Sequence, residues 1–194
     1  PGMHALCQFR ACEEIAVDLE RLAPLAQLLD MDSAGSPGRD WLKTLYGRLF
    51  DAEADDVASA LLAVKEQVQC QAEMSTADKW FVELLHQYPG DRGAFSAYFL
   101  NIAHLDSGEA VFLSANEPHA YMLGTIVECM ASSDNVVRAG LTPKFVDREV
   151  LADMLTYRDG APVIQAGEVL RPGDRVYRVP IPEFQVEIYE HRQG

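Results

Sequence analysis

The chain lacks a long apolar run, a paired-cysteine motif and any excess of basic charge. Crossing a bilayer takes roughly 20 consecutive apolar residues, and nothing here approaches that length. The N-terminus has no basic-then-apolar signal pattern, so a cytoplasmic protein is expected. With 16 Lys and Arg against 30 Asp and Glu, the formal net charge is -14. That balance argues against nucleic acid or an anionic membrane as partner, because both select basic clusters. Cys7, Cys12, Cys70 and Cys129 are scattered, without a C-x-x-C pair. Buried free thiols in a reducing compartment are expected rather than disulfides. No glycine-rich phosphate loop is present, so nucleotide binding is unsupported. A few local cations can still dominate one pocket, which leaves room for a small phosphorylated molecule.

What is present is enough for a substantial core. A chain of 194 residues accommodates one large or two small domains. Its first ninety residues read as helical. Ile15, Leu19, Leu22, Ala26 and Leu29 form one apolar stripe at three- and four-residue steps, with Pro24 suited to start a second short helix. Residues 33–38 form a loop by composition. Trp41 or Leu42, Leu45 and Leu49 resume the helical period, and Val57, Leu61, Val64 and Val68 make another stripe. Ser75 with Asp78 resembles a capping box ahead of Trp80, Phe81, Leu84, Leu85 and Tyr88.

Tyr88-Pro89-Gly90-Asp91 marks the expected boundary between residues 1–91 and 92–194. Beyond it, strands are expected at 97–103, 110–113, 120–123, 125–130 and 136–138. One helix is expected at 147–155, then short strands around Val163, Val176 and Val186. Short strands separated by glycine turns favour an antiparallel barrel or sandwich.

The polar residues that invite chemistry crowd into residues 115–144: Glu117, His119, Tyr121, Glu128, Asp134, Arg138 and Lys144. Gly124 and Gly140 punctuate the block, and no long helical period crosses it. An imidazole, carboxylates and a guanidinium on adjacent short strands can converge on one pocket. Each residue also has a plainer reading. His119 is either a ligand or a satisfied core or surface histidine. Glu128 lies in an apolar run that would raise its pKa towards that of a working base, or else faces water. Asp134 acts as an acid or shapes a turn. Arg138, between Val137 and Ala139, reads as a half-buried guanidinium able to steady a developing negative charge, against the usual solvated arginine. Tyr121, two residues from His119 and on the same strand face, lines a pocket or fills the barrel. Lys144 adds positive potential for a phosphate or is simply solvated.

The runs Asn116-Glu117-Pro118-His119-Ala120-Tyr121 and Asn135-Val136-Val137-Arg138-Ala139-Gly140-Leu141-Thr142-Pro143-Lys144 resemble the C-terminal signature of the type I phosphomannose isomerases. Residues and spacing both match. Leu6-Cys7-Gln8-Phe9-Arg10 with Glu13-Glu14-Ile15, and Gln87-Tyr88-Pro89-Gly90-Asp91, look like further family landmarks in the right order. Pro1 to His4 match nothing in it.

The resemblance implies a zinc-dependent isomerase that interconverts mannose 6-phosphate and fructose 6-phosphate, feeding GDP-mannose synthesis. It implies an α+β fold: a helical domain, 1–91, followed by a partial cupin-like jelly roll, 92–194. It implies His119 as a zinc ligand, Arg138 as catalytic, and Glu128 and Asp134 at the active site; beside them, Tyr121 and Lys144 are the residues expected to contact a hexose phosphate. The family's other zinc ligands lie upstream of the equivalent of Leu6. His4, His86, His104 and His191 have no context that matches them. The chain is therefore expected to be part of a longer enzyme, inactive alone, and monomeric. Two rival readings are a non-catalytic sugar-binding cupin and an inactive structural fragment. An upstream Gln-x-His motif and a Lys-Pro-Glu motif would favour the enzyme.

Overall fold

The apolar stripes of the first half do fold into helices, but the chain enters and leaves them through a β-sheet. A computed structural model describes residues 2–31, 35–133 and 136–190. Strand β1 (Met3–Phe9) is followed by helices α1 (Cys12–Arg21), α2 (Ala23–Leu28), α3 (Arg39–Asp51), α4 (Ala54–Gln69) and α5 (Thr76–Gln87). A 3-10 turn (Arg92–Phe95) and a single helical turn, α6 (Ser96–Phe99), lead into β2 (Leu100–Leu105). Then come β3 (Ala110–Val111), β4 (His119–Leu123), α7 (Arg148–Met154), β5 (Ile164–Gln165), β6 (Glu168–Arg171), β7 (Asp174–Tyr177) and β8 (Val186–Ile188).

β1 pairs antiparallel with β2 on one side and β4 on the other, giving the order β2-β1-β4. This corrects the helical reading of the first ninety residues. It also brings Met3 and His4, which match nothing in the resemblance, into register with Leu105 and His104. The sheet takes strands from both sides of the expected 91/92 division. Two smaller antiparallel sheets, β3-β5 and β6-β7-β8, complete the α+β architecture.

The helical core forms because each stripe finds a partner. Ile15, Leu19, Leu22, Leu25 and Leu29 meet Leu45, Leu49, Leu61, Val64 and Val68 in one buried cluster with Phe81, Phe95 and Phe99. Each such side chain, fully removed from water, contributes about 1.5–3 kcal/mol. The Ser75 box is realised in both directions: Asp78 N–H donates to Ser75 Oγ at 3.1 Å, and Ser75 N–H donates to the Asp78 carboxylate at 3.0 Å. Arg92 closes α3 by donating to the carbonyls of Leu49, Phe50 and Ala52 at 2.7–2.9 Å. Those are carbonyls that a helix end leaves without a partner.

Two expected strands are not strands, and a third, expected at 97–103, begins only at Leu100. Residues 97–99 continue the helical turn α6, fully buried, because a short apolar-aromatic run suits a buried helix as well as a strand. Residues 125–130 lie outside any strand, with Val127 almost fully exposed. Residues 136–138 are likewise unpaired. Alternation of apolar residues marks an extended segment but does not supply a neighbouring edge to pair with. Asp147 accepts the Val150 N–H at 3.1 Å and starts α7 close to where it was expected. The four cysteines are free, but only Cys7 and Cys12 are buried; Cys70 and Cys129 are exposed. Burial pushes the Cys7 thiol up to about 11.

Candidate active site

Strand β4 puts alternate residues on opposite faces. Ala120 and Met122 pack against the helical core, while His119, Tyr121 and Leu123 face outwards. The His119 and Tyr121 rings lie 5.8 Å apart between centroids, as expected for two residues on one strand face. Tyr121 donates its hydroxyl to Glu128 Oε1 at 2.5 Å. Burial, and then this bond, push the Tyr121 hydroxyl above its ordinary range, so it remains a donor at neutral pH. Glu128 itself is exposed, so of its two readings the one that faces water holds. Its apolar neighbours are themselves largely exposed.

His119 Nδ1 lies 3.0 Å from the backbone carbonyl oxygen of Glu117. A carbonyl only accepts, so Nδ1 carries a proton, and in the neutral ring Nε2 is the nitrogen with the lone pair. That is the arrangement metal-binding imidazoles use, with the far nitrogen fixed by an acceptor. The acceptor was not legible in the sequence, because it is a main-chain atom two residues back. Glu117 was counted among the acids of the block but had no role assigned to it. Its side chain is 1% exposed and pairs with Arg158 Nη2 at 2.9 Å, and it accepts the Thr156 hydroxyl at 3.0 Å. Its place within Asn-Glu-Pro-His was the only signal available; Arg158 gave none.

Arg138 is exposed rather than half-buried. Val137, Ala139 and Leu141 pack against the core, so the extended backbone turns the side chain between them outwards. It makes no hydrogen bond or ion pair among the described residues. Lys144 is exposed, its backbone N–H donating to Thr142 Oγ1 at 3.2 Å. Asp134 lies outside the described residues.

The Arg138 segment is docked by a residue from the far motif. Asp91 accepts the Gly93 N–H at 2.7 Å through one carboxylate oxygen and the Thr142 N–H at 3.4 Å through the other. Gly140, at φ +116°, lies so close that a Cβ there would sit 3.0 Å from both the Asp91 carboxylate and Gly93 Cα. Two stretches separated in sequence, each singled out by the resemblance, therefore meet in space. The structure joins His119, Tyr121 and Glu128 in one chain of contacts and leaves Arg138 and Lys144 on a neighbouring exposed segment.

Among the described residues no group of three or more His, Cys, Asp or Glu could hold a metal ion. His119 fits as one donor only. No helix of the described residues is long and apolar enough to cross a membrane.

Residues 16–100 match the family model for the phosphomannose isomerase type I helical insertion domain, a match that ends on the first residue of β2. The chain is 40% identical over 196 residues to a probable mannose-6-phosphate isomerase of Dictyostelium discoideum, covering 95% of this chain and 42% of that protein. It is 39% identical over 201 residues to the human mannose-6-phosphate isomerase, covering 93% and 47%. The apo mannose 6-phosphate isomerase of Salmonella typhimurium superposes with a TM-score of 0.85 at 29% identity, covering 96% of this chain and 47% of that one. A zinc-bound mannose 6-phosphate isomerase superposes with a TM-score of 0.81, also at 29% identity and 47% coverage. The chain thus spans a little under half the length of these relatives. On the joint strength of sequence, family model and fold, it belongs to the type I phosphomannose isomerase family.

Proposed function

We propose that this chain forms part of a mannose-6-phosphate isomerase, contributing one face of a site that interconverts mannose 6-phosphate and fructose 6-phosphate for GDP-mannose synthesis in the cytoplasm. The observation that carries the reading is the outward row His119–Tyr121–Glu128, with the imidazole fixed through Nδ1 and Nε2 left open. In this reading the helices between β1 and β2 are an insertion into a cupin-like barrel to which the three small sheets belong. The working unit is a monomer, and the chain is inactive alone.

His119 Nε2 would be one donor to a zinc ion, which in the complete enzyme supplies Lewis acidity at the substrate's oxygens. The described residues do not complete a donor set. Aldose–ketose isomerisation moves a proton between adjacent carbons, and Glu128 is the candidate base, with Asp134 the other acid of the motif. Tyr121 holds Glu128 by one oxygen and leaves the second free to take a proton. When Glu128 is protonated, the phenol still donates to it, so the carboxyl stays aimed through the cycle. Arg138, unpaired among the described residues, is available to a developing enediolate oxygen, and Lys144 to the phosphate.

The test is isomerase activity of the full-length protein with Glu128→Gln and Tyr121→Phe. Glu128→Gln should abolish turnover, and Tyr121→Phe should lower it while leaving the Michaelis constant nearly unchanged. Full activity in Glu128→Gln would remove Glu128 as the base and leave Asp134.

A further inference from the structure

The most buried acid near the site is one that the proposed chemistry does not use. Glu117 is 1% exposed at its side chain, and its Oε2 has no hydrogen-bond partner among the described residues. A buried carboxylate so incompletely paired is costly, and its place is defined by what holds it. Oε1 receives both Arg158 Nη2 at 2.9 Å and Thr156 Oγ1 at 3.0 Å. The main chain adds to this grip: Thr156 N–H donates to the Asn116 carbonyl at 3.3 Å. Asn116 sits at φ +66°, a left-handed turn conformation that asparagine adopts more readily than most residues. Three bonds from residues 156–158 thus converge on residues 116 and 117, directly before the carbonyl that accepts His119 Nδ1.

The strap that supplies them is itself anchored. Asp159 accepts the Cys12 N–H at 3.1 Å, and Gly160 N–H donates to the Phe9 carbonyl at 3.0 Å. Asn101, whose side-chain amide reaches the carbonyls of Gln8 and Phe9, also reaches that of Gly160 at 2.9 Å. The turn before β4 is therefore tied through residues 156–160 to the end of β1 and the start of α1.

We propose that Glu117 and Arg158 are positioning residues for His119. The ion pair fixes the peptide whose carbonyl accepts the Nδ1–H hydrogen bond, and so selects the tautomer of the neutral ring in which Nε2 carries the lone pair. The use of that nitrogen as a metal donor rests on the functional reading above; the orientation does not. In the family's chemistry Glu117, buried, would act only through His119, and Arg158, whose side chain is exposed, would act through its ion pair with Glu117.

The experiment compares Glu117→Gln, Glu117→Ala, Arg158→Lys and Arg158→Ala in the full-length protein, with circular dichroism to confirm the fold. The imidazole nitrogen-15 shifts of His119 report its tautomer in metal-free protein, and zinc retention against a competing chelator reports its use. Arg158→Ala and Glu117→Ala should lose the single Nδ1–H tautomer and weaken zinc binding by about 10–100-fold, the usual cost of removing support behind a ligand. Arg158→Lys keeps the charge without the planar fork and should restore both in part. If Glu117→Ala fails to fold, Glu117→Gln, which keeps the shape and loses the charge, carries the comparison with Arg158→Lys. An unchanged tautomer in the folded variants overturns the proposal. A changed tautomer with unchanged zinc retention supports the positioning role and overturns His119 as a metal donor.

Discussion

The Asp159 carboxylate accepts the backbone N–H of Cys12 at 3.1 Å across 147 residues of sequence, supplying a partner to helix α1 that its own N-cap residue, Ala11, lacks. The first N–H groups of a helix have no partner within it, and a carboxylate there also meets the positive end of the helix dipole. The bond holds the Asp159 carboxyl below its ordinary range, with the Cys12 amide as the main cause. Burial and then this same carboxylate push the Cys12 thiol up to about 12.

Asp159→Ala should therefore cost about 1 kcal/mol, as loss of a cap does. The check is the urea midpoint, together with faster hydrogen exchange of the Cys12 and Glu13 amides. Because the folded pKa of Asp159 is lowered, its contribution is present above its unfolded pKa and lost as pH falls through the folded one. An Asp159→Ala variant that matches the parent at neutral pH would show that the contact does not stabilise α1.

Asp78 makes a stronger case in the helical core. Its side chain is fully buried and accepts from Arg21 at 2.9 and 3.3 Å, from Ser75 N–H at 3.0 Å and from the Tyr98 hydroxyl at 3.0 Å. Burial pulls its pKa upwards, but the bonds from Arg21 and Ser75 outweigh that and leave it below the usual carboxylate range. Asp78→Ala leaves Arg21 short of a buried partner, and should destabilise the protein by about 3–5 kcal/mol. The sign follows for pH as well: the stabilisation is complete above the unfolded carboxylate pKa and fades as pH drops through the lower folded value. Unfolding titrations near pH 7 and pH 3 should therefore give a smaller gap between Asp78→Ala and parent at the acid end. An equal gap at both would assign the loss to packing.

These two acids show what a sequence discloses. Asp78 was legible because its first partner, Ser75, is three residues away and the pair is a local pattern. Asp159 was not, because its partner is fixed only by tertiary folding. The same division runs through the molecule. The stripes of α1 and α4 could be read off period alone, whereas β1 was hidden in a short apolar run whose strand character depends on β2 and β4 lying beside it. At the site, the motif named His119, Tyr121 and Glu128, and the period-2 rule placed the first two on one face. The Glu117 carbonyl and Arg158 could not be found that way, one being a main-chain atom and the other lying in a segment that reads as an ordinary turn. Exposure of Arg138 was misjudged, and that of Glu128 left undecided, because apolar neighbours in sequence need not be neighbours in space.

Gly140→Ala tests the docking of the two motifs. Gly140 has φ +116°, and an added Cβ would meet Asp91 Oδ1 and Gly93 Cα at 3.0 Å. Both neighbours are held, Asp91 by its bonds to Gly93 and Thr142. The backbone strain alone costs about 1–3 kcal/mol, and relief requires residues 138–142 to move off the core. In the full-length protein, isomerase activity should fall with little change in helical circular dichroism. Full activity with an unchanged melting temperature would mean that the segment tolerates displacement, and that Arg138 does not depend on this contact for its place.

Arg138→Lys separates chemistry from stability. Arg138 is exposed and has no partner among the described residues, while its neighbours Val137 and Ala139 carry the packing. Replacing it should leave the unfolding midpoint within about 0.5 kcal/mol of the parent, as for other surface positions. If the guanidinium steadies the enediolate, turnover should nonetheless fall by about 2–4 kcal/mol in activation free energy, because lysine keeps the charge but loses the planar fork. The Michaelis constant should move much less, since the contact strengthens only as negative charge develops. The measurement is kcat and KM on mannose 6-phosphate with full-length protein, beside a urea titration of the same preparation. Unchanged turnover would make Arg138 a solvated surface charge. A rise in KM with turnover preserved would instead make it a ground-state contact to the substrate.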